Sequence, residues 1–281
     1  MQRLIPALLL ALVLAGCSGI TASTPLSAAP GRFDTIQVVK QVPAKLPSGT
    51  HTFPGLQYVL IPQDSAMTLL VPVPFVGEAV MSALADADAK GAAARYGAVD
   101  PYEETLAATA SRPLFGLAAS PAKLYPFVFV NEGHDARYRL SLVYQVEDGD
   151  WLGRYFYHLP STLPLDALKA PTPQIQQTLR SELAEGTRTL ADLVERDRNG
   201  TLGPTGRKAK IGSLYLVGGN IAGLVAPEMV HYPDAEILEE QGDHIVLRHD
   251  GMPTAAGQSG ALLFGVHHFL RSQLHFFEVR P

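Results

Sequence analysis

Cysteine is almost missing from this chain of 281 residues, which contains only Cys17. A lone cysteine has no partner in the chain for a disulfide, and it cannot supply the several thiolates of a cysteine-based zinc site. A chain of this length can build a self-sufficient core without such cross-links. We therefore expect Cys17 to have a role outside the folded core.

Positively charged residues are fewer than negatively charged ones. The chain carries 22 Lys and Arg residues against 27 Asp and Glu residues, which gives a formal net charge of −5. Proteins that bind nucleic acid neutralise phosphates with clusters of Lys and Arg. The charge balance argues against a nucleic-acid partner.

Long apolar runs are scarce beyond the N-terminus. The segment 213–230 is apolar, but Asn220, Pro227 and Glu228 interrupt it, whereas a membrane-spanning helix needs about 20 consecutive, mainly apolar residues. We predict buried strands in this segment, the first at 213–217.

The N-terminus has the order of a secretory signal peptide. Arg3 precedes an apolar block at 4–14, and the small residues Ala15 and Gly16 lead to Cys17. The block is shorter than the roughly 20 residues that a permanent membrane helix needs. We expect residues 1–16 to be removed from the mature protein.

The residues Leu14-Ala15-Gly16-Cys17 resemble the lipobox of bacterial lipoproteins. The resemblance covers residues 1–17. It implies that the Cys17 thiol carries diacylglycerol and that the freed amine receives a further acyl chain such as palmitate, so that the protein is held permanently at a membrane. Ser18 follows the cysteine, which in this family favours the outer membrane, with the domain facing the periplasm.

The lipidated cysteine is followed by a tether and then by the domain. Residues 17–32 are mostly Ser, Thr, Ala, Pro and Gly without apolar periodicity, which is typical of a flexible linker. A linker of this length spans roughly 20 Å. We expect a periplasmic domain at 33–281, built as one unit or as two subdomains.

The fold class predicted for the domain is α+β with a mainly antiparallel sheet. Apolar side chains at every second position of 138–146 alternate with polar ones, which predicts a strand with one face in the core and the other in water. This strand belongs to a central meander at about 124–160. Further strands are predicted at 33–42, 56–73, 236–238, 244–248, 261–266 and 275–279.

Two or three helices are expected to pack on this sheet. Apolar spacing indicates an amphipathic helix at 76–96 and a longer one at 173–198. Between them, Asp100 and Pro101 provide an N-cap and a first helical residue for a helix that ends before Pro113.

A short motif at 257–261, Gly-Gln-Ser-Gly-Ala, resembles the Gly-Asp-Ser-Gly-Gly sequence of trypsin-like serine proteases but departs from it at two of five positions. The resemblance implies that Ser259 is a nucleophile, and a hydrolase of this kind would use His267, His268 or another histidine near the C-terminus as its base. The alternative is a glycine-rich turn that leads into the strand predicted from 261. A catalytic triad is defined by geometry and not by a short string.

Histidine is concentrated near the C-terminus. Five histidines are candidate metal ligands: His244, His249, His267, His268 and His275. They lack the helical i,i+4 spacing of a zinc-binding pair, and on one strand His244 and His249 point to opposite faces. We predict no metal or other cofactor, and hydrogen-bonded histidines instead.

The aromatic residues Trp151, Tyr155 and Tyr157 lie on one strand of the meander. Rigid amphipathic rings of this kind can line a ligand groove, but aromatic side chains at alternate positions of a strand more often pack in a core. We favour core packing and keep the groove as an alternative.

The leading hypothesis is a lipid-anchored protein of the cell envelope with a non-enzymatic binding or structural role for an envelope partner. It depends on the lipobox and tether and on the absence of a complete catalytic motif. The alternatives are a periplasmic serine hydrolase that uses Ser259, and capture of a metal or small ligand by the histidine-rich C-terminal region.

Overall fold

The computed structural model describes residues 30–44, 46, 50–53, 55–61, 99–133, 135–169, 171–216, 218–219, 225–226, 230–249 and 264–280. Cys17, the helix predicted at 76–96 and Ser259 lie outside these ranges. The strands are β1 (Ile36–Val38), β2 (His51–Thr52), β3 (Tyr58–Ile61), β4 (Phe115–Gly116), β5 (Ala122–Glu132), β6 (Arg137–Asp148), β7 (Trp151–Pro164), β8 (Lys208–Ser213), β9 (Gly218–Gly219), β10 (Val225–Ala226), β11 (Val230–Gln241), β12 (His244–His249), β13 (Gly265–Leu270) and β14 (Phe276–Arg280). The helices are α1 (Pro101–Thr109), α2 (Asp166–Lys169) and α3 (Pro173–Arg198), with a 3₁₀ turn at Arg271–Gln273.

Twelve of these strands form one sheet. Its order is β14-β8-β11-β12-β13-β7-β6-β5-β1-β4, and β3 pairs with β5 and with β2. Most neighbours are antiparallel, but β13 runs parallel to β7, where the C-terminal strands join the central ones. The prediction of an α+β fold with a mainly antiparallel sheet is confirmed.

The central meander is also confirmed. β5, β6 and β7 pair antiparallel over most of their lengths, and Gly149 at φ +58° lies in the turn between β6 and β7. A positive φ is the conformation that a tight hairpin turn requires and that glycine adopts without steric cost.

The prediction that β6 exposes one face to water is wrong. Its alternate polar residues Arg139, Ser141 and Gln145 are all buried, and they make hydrogen bonds to Asp135, His158 and Arg154 respectively. The polar pattern therefore marks a buried hydrogen-bonded face, because buried polar groups need partners in the absence of water.

The two predicted helices that fall in the described ranges are confirmed. α1 begins after Asp100, whose carboxylate accepts the Tyr102 N–H at 2.9 Å. α3 begins after Thr172, whose hydroxyl accepts the Ile175 N–H at 3.2 Å, and it ends at Arg198. These side chains satisfy N–H groups that have no partner within the helix.

Several C-terminal strands lie elsewhere than predicted. β8 ends at Ser213, where a strand at 213–217 was expected to begin. The Ser213 hydroxyl accepts the Tyr215 N–H at 3.2 Å and donates to the Gln273 carbonyl at 2.8 Å, so the chain turns there. The strand expected at 261–266 is β13 at Gly265–Leu270, and the one expected at 275–279 is β14, shifted by one residue.

Helices α1 and α3 cover one face of the sheet and enclose the main core. Within the ranges given above, no helix combines the length and apolar character needed to cross a membrane. α3 packs tightly on the sheet at Gly186, where a Cβ atom would lie 2.7 Å from Tyr157 Cδ1 and 3.2 Å from Leu142 Cδ2. The glycine therefore sets how closely the helix and sheet pack.

We expect Gly186→Ala to lower the free energy of unfolding by about 1 kcal/mol, because a packing clash of roughly 1–3 kcal/mol outweighs a gain in helix propensity of about 1 kcal/mol. Gly186→Val should cost more. Gly203→Ala, at a site with open space around it, is the control for urea unfolding. A Gly186→Ala protein as stable as the wild type would contradict this packing.

Candidate functional site

The face of the sheet opposite α1 and α3 contains a buried chain of polar side chains across three strands. Ser141 Oγ on β6 lies 2.7 Å from His158 Nδ1 on β7. His158 Nε2 lies 3.1 Å from His267 Nδ1 on β13. Alternation along each strand places these side chains on the same face, and the parallel pairing of β7 with β13 brings the two histidines together.

Aromatic rings enclose this chain. Phe156 stacks on His267 with ring centroids 4.3 Å apart, and Phe269 stacks on His158 at 4.1 Å. Ser141, His158 and His267 are each only 2% exposed. Burial lowers the pKa of His158 well below its usual range, and the neighbouring His267 imidazole adds to the shift. His158 is therefore neutral, and each of its nitrogens has a hydrogen-bond partner.

A small cavity lies next to this chain, with room for about one water molecule. Asn131 lines it and is 1% exposed. The Asn131 side-chain N–H donates to the Tyr215 carbonyl at 3.2 Å, and its Oδ1 has no partner among the described residues. A water held here would satisfy Oδ1, since the cavity is polar.

Ser141 and His158 have the spacing of a serine and a general base. However, the Ser141 hydroxyl is buried beneath the packed rings, and the adjoining cavity has room for about one water molecule. In this arrangement the three side chains can pass a proton along a hydrogen-bonded chain, but the cavity beside Ser141 is too small for a substrate much larger than water. The geometry is that of a buried structural network.

Of the five candidate metal ligands, four form two pairs on opposite faces of the sheet. His249 and His267 lie together on the face of the buried chain, with ring centroids 6.3 Å apart. His244 and His268 lie on the helix face, 5.0 Å apart. His275 is exposed just before β14. Among the residues that the structure describes, no group of three or more His, Cys, Asp or Glu could hold a metal ion.

The placement of histidines on opposite faces of the sheet also limits which of them could act as the base of the proposed serine hydrolase. His267 and His268 are adjacent on β13 and point to opposite faces, so only one of them could serve a given nucleophile. His267 is engaged with His158, and His268 stacks on Tyr157. Ser259 itself lies outside the described residues, so its role stays a prediction.

The three candidate groove residues are buried in the main core: Trp151 is 5%, Tyr155 1% and Tyr157 3% exposed. The Tyr155 hydroxyl donates to Asp197 Oδ2 at 2.8 Å, and Arg248 Nη2 donates to Asp197 Oδ1 at 2.7 Å. These bonds join the last turn of α3 to strands β7 and β12.

The N-terminal end of the described chain is fixed to this same region. The Gly31 N–H donates to the Arg198 carbonyl at 2.7 Å, and Arg198 Nε donates to the Phe33 carbonyl at 2.8 Å. The Phe33 ring lies 5.8 Å from Trp151. The predicted tether therefore meets the folded domain at the C-terminal end of α3, within the stretch predicted to be flexible.

Sequence reasoning did not single out Ser141, Asn131, Asp197 or Arg248. Ser141 and Asn131 fall at polar positions of strands, which are usually solvent-exposed. Asp197 and Arg248 are far apart in sequence and meet only in the folded protein. β6 and β7 are long and contain more apolar residues than one buried face of a strand needs. This excess could have indicated that both faces of the two strands are buried.

Comparison of the chain with protein-family models, with curated proteins and with solved structures finds no match.

We expect the protein to lose stability as the pH falls from about 6.5 towards 4. Burial lowers the pKa of His249 to about 3 and of His268 to about 4, and that of His158 well below 6.5. Because unfolded histidines bind protons below about 6.5, stability is complete above that pH and is lost below it. At pH 5 each such histidine costs about 2 kcal/mol.

Urea unfolding between pH 7 and 4.5 measures this loss. His249→Gln should reduce the slope of the unfolding free energy against pH by about one proton. The exposed residue His275 provides the matched control, His275→Gln. A wild-type protein equally stable at pH 7 and pH 5 would show that the buried histidines titrate normally.

Proposed function

We propose that this protein is a lipid-anchored component of the bacterial cell envelope whose periplasmic domain binds an envelope partner or component without catalysing a reaction. The sequence Leu14-Ala15-Gly16-Cys17 supports the anchor through its resemblance to a lipobox. The proposal also includes removal of residues 1–16 and attachment to the outer membrane, which Ser18 favours.

The observation that carries the proposal is the junction at Gly31 and Phe33. Their hydrogen bonds with Arg198 hold residues 31–33 at the end of α3, so that the proposed tether is the segment between Cys17 and Gly31. A flexible linker of that length spans roughly 20 Å. The end of the domain that holds Trp151, Asp197 and Arg248 is therefore held near the membrane surface.

This arrangement suits a binding protein that acts on something at or near the membrane. A short tether raises the local concentration of the domain towards partners within its reach. It also favours one orientation, because the chain leaves the domain at a fixed point beside α3. An anchored domain of this kind can engage a neighbouring envelope component repeatedly without diffusing away.

We expect Cys17→Ser to abolish incorporation of radiolabelled palmitate and to move the protein from the membrane fraction to the soluble fraction. Ser18→Ala is the matched control and should retain both label and membrane attachment. Ser18→Asp should keep the label but move the protein to the inner membrane on a density gradient. Cys17→Ser protein that remains in the membrane fraction would overturn the proposed anchor.

A further inference from the structure

A short loop without charged side chains joins β4 to β5. Its sequence is Leu-Ala-Ala-Ser-Pro at 117–121. Leu117 is 62% exposed and is the one large apolar side chain left exposed among the residues that the structure describes. Ala118, Ala119 and Pro121 are exposed as well. The loop therefore presents a small, uncharged and mainly apolar surface to the solvent.

This loop has a defined position in the fold. The strands before and after it both pair with β1, and Ile36 lies opposite Phe115 on one side and opposite Ala122 on the other. Within the loop, the Ser120 hydroxyl donates to the Thr35 carbonyl at 2.7 Å, and Thr35 Oγ1 donates to Ser120 Oγ at 3.3 Å. The loop is thus fixed beside the first residues of β1.

The proposed tether enters the domain close to the same place. The Gly31 N–H is bound to the Arg198 carbonyl, and only residues 32–34 separate Gly31 from Thr35, which contacts the loop. Four residue steps of fully extended chain cover at most about 14 Å. The loop therefore lies a short distance from the point where the tether meets the domain.

The strand directions show which end of the sheet this is. β5 begins beside the end of β6, where Lys123 pairs with Glu147, so the loop lies at the end that holds the β6–β7 turn. β13 runs from this end, because it is parallel to β7, and its last residue Leu270 pairs with His244. The β11–β12 turn, which follows the exposed Gln241, therefore lies at the opposite end.

We propose that the loop at 117–121 is a membrane-contact surface and that its partner is the lipid bilayer that holds the Cys17 anchor. This inference rests on the proposed function, because the anchor is what brings the bilayer within reach of the loop. The segment between Cys17 and Gly31 spans roughly 20 Å as a flexible linker. A tether of that length allows the end of the domain beside the loop to touch the bilayer surface.

The anchor makes this weak contact effective. A single exposed leucine is common on soluble proteins, and alone it would bind a bilayer poorly. In an anchored protein the loop is already at a high local concentration beside the lipid. Burial of one leucine side chain then favours the lipid-bound orientation about tenfold or more, where each factor of ten corresponds to about 1.4 kcal/mol.

Apolar insertion, and not electrostatic attraction, carries the contact. The loop has no charged side chain that would have to leave water, which is costly. The charges around it are mixed, since Arg32 and Lys123 are exposed, and so are Asp34 and Asp150. The loop should therefore contact a bilayer of neutral phosphatidylcholine as well as one that contains anionic phosphatidylglycerol.

A fluorescent label in the loop tests the contact in the lipidated protein, purified from the membrane fraction and reconstituted into phosphatidylcholine vesicles with nitroxide-bearing lipids. Cys17 is the only cysteine and carries the lipid, so Ala119→Cys adds a single free thiol for the label. We expect the nitroxide lipids to quench this label strongly. Gln241→Cys, at the opposite end of the sheet, is the matched control and should escape quenching.

Leu117→Asp, combined with Ala119→Cys, tests the role of the leucine. It should lower the ratio of lipid-bound to free orientations about tenfold or more, because it removes the buried side chain and adds a charge. Gln241→Asp adds the same charge at the far end and should leave the quenching unchanged. Leu117 is mostly exposed, so the melting temperature of Leu117→Asp should equal that of the wild type.

Quenching at position 119 that Leu117→Asp reduces, without quenching at position 241, supports the membrane-contact surface. Equal quenching at both positions, quenching that Leu117→Asp leaves unchanged, or contact that requires phosphatidylglycerol would overturn it. A palmitate-labelled protein without quenching at position 119 would overturn this surface and leave the anchor in place. A chain that does not label with palmitate would overturn the anchor, and this surface with it.

Discussion

The hydrogen bonds and ion pair of the Asp197 carboxylate hold together the end of the domain where α3 meets β7 and β12. It is 3% exposed, and it bonds to Tyr155 on β7 and to Arg248 on β12. β13 lies between these two strands, so a single side chain from α3 spans the place where the central and C-terminal parts of the sheet join. Removing one partner of such a buried pair typically costs about 3–5 kcal/mol, because the other charge is left uncompensated.

Several features follow from the position of this carboxylate. Because Asp197 holds the last turn of α3 against the sheet, the Arg198 carbonyl is in place to accept the Gly31 N–H. The same contact brings Arg248 to the small cavity that Trp151 and Tyr155 also line. The junction at Gly31 and the position of Arg248 are thus consequences of one buried ion pair.

The opposite face of the sheet is held together by hydrogen bonds among buried polar side chains. There the polar side chains of Ser141, His158 and His267 satisfy one another within a layer of aromatic rings. Such a network adds little to the free energy of unfolding compared with apolar packing. A shift in strand register, however, would leave its buried polar groups without hydrogen-bond partners. We interpret it as a feature that specifies the pairing of β6, β7 and β13 at the cost of sensitivity to acid.

Local patterns in the sequence were sufficient for the elements that depend on local physics. The Asp100 cap identified one helix, apolar spacing identified the helix at 173–198, and alternation identified the central strand, since capping and periodicity involve residues close together in the sequence. The burial of Ser141 could not be read from alternation alone, because a polar residue on a strand looks the same whether it faces water or a partner.

The candidate site was harder to predict from the sequence than the helices and the central strands. The concentration of histidines near the C-terminus was visible, but their division between two faces depends on strand register, and β13 begins four residues later than the pattern suggested. Trp151 and Tyr155 were recognised as notable aromatic residues. Their relation to Asp197 and Arg248 arises from contacts between distant segments, which no local pattern encodes.

Amide hydrogen exchange at Gly31, measured relative to Leu142 in the central meander, tests most directly whether Asp197 organises this end of the domain. In Asp197→Asn the Gly31 amide should lose most of its protection, because the last turn of α3 is released from the sheet. Asp192→Asn, which removes an exposed carboxylate 3.5 Å from Arg196 on the same helix, should leave that protection intact. Unchanged protection of Gly31 in Asp197→Asn would contradict the account.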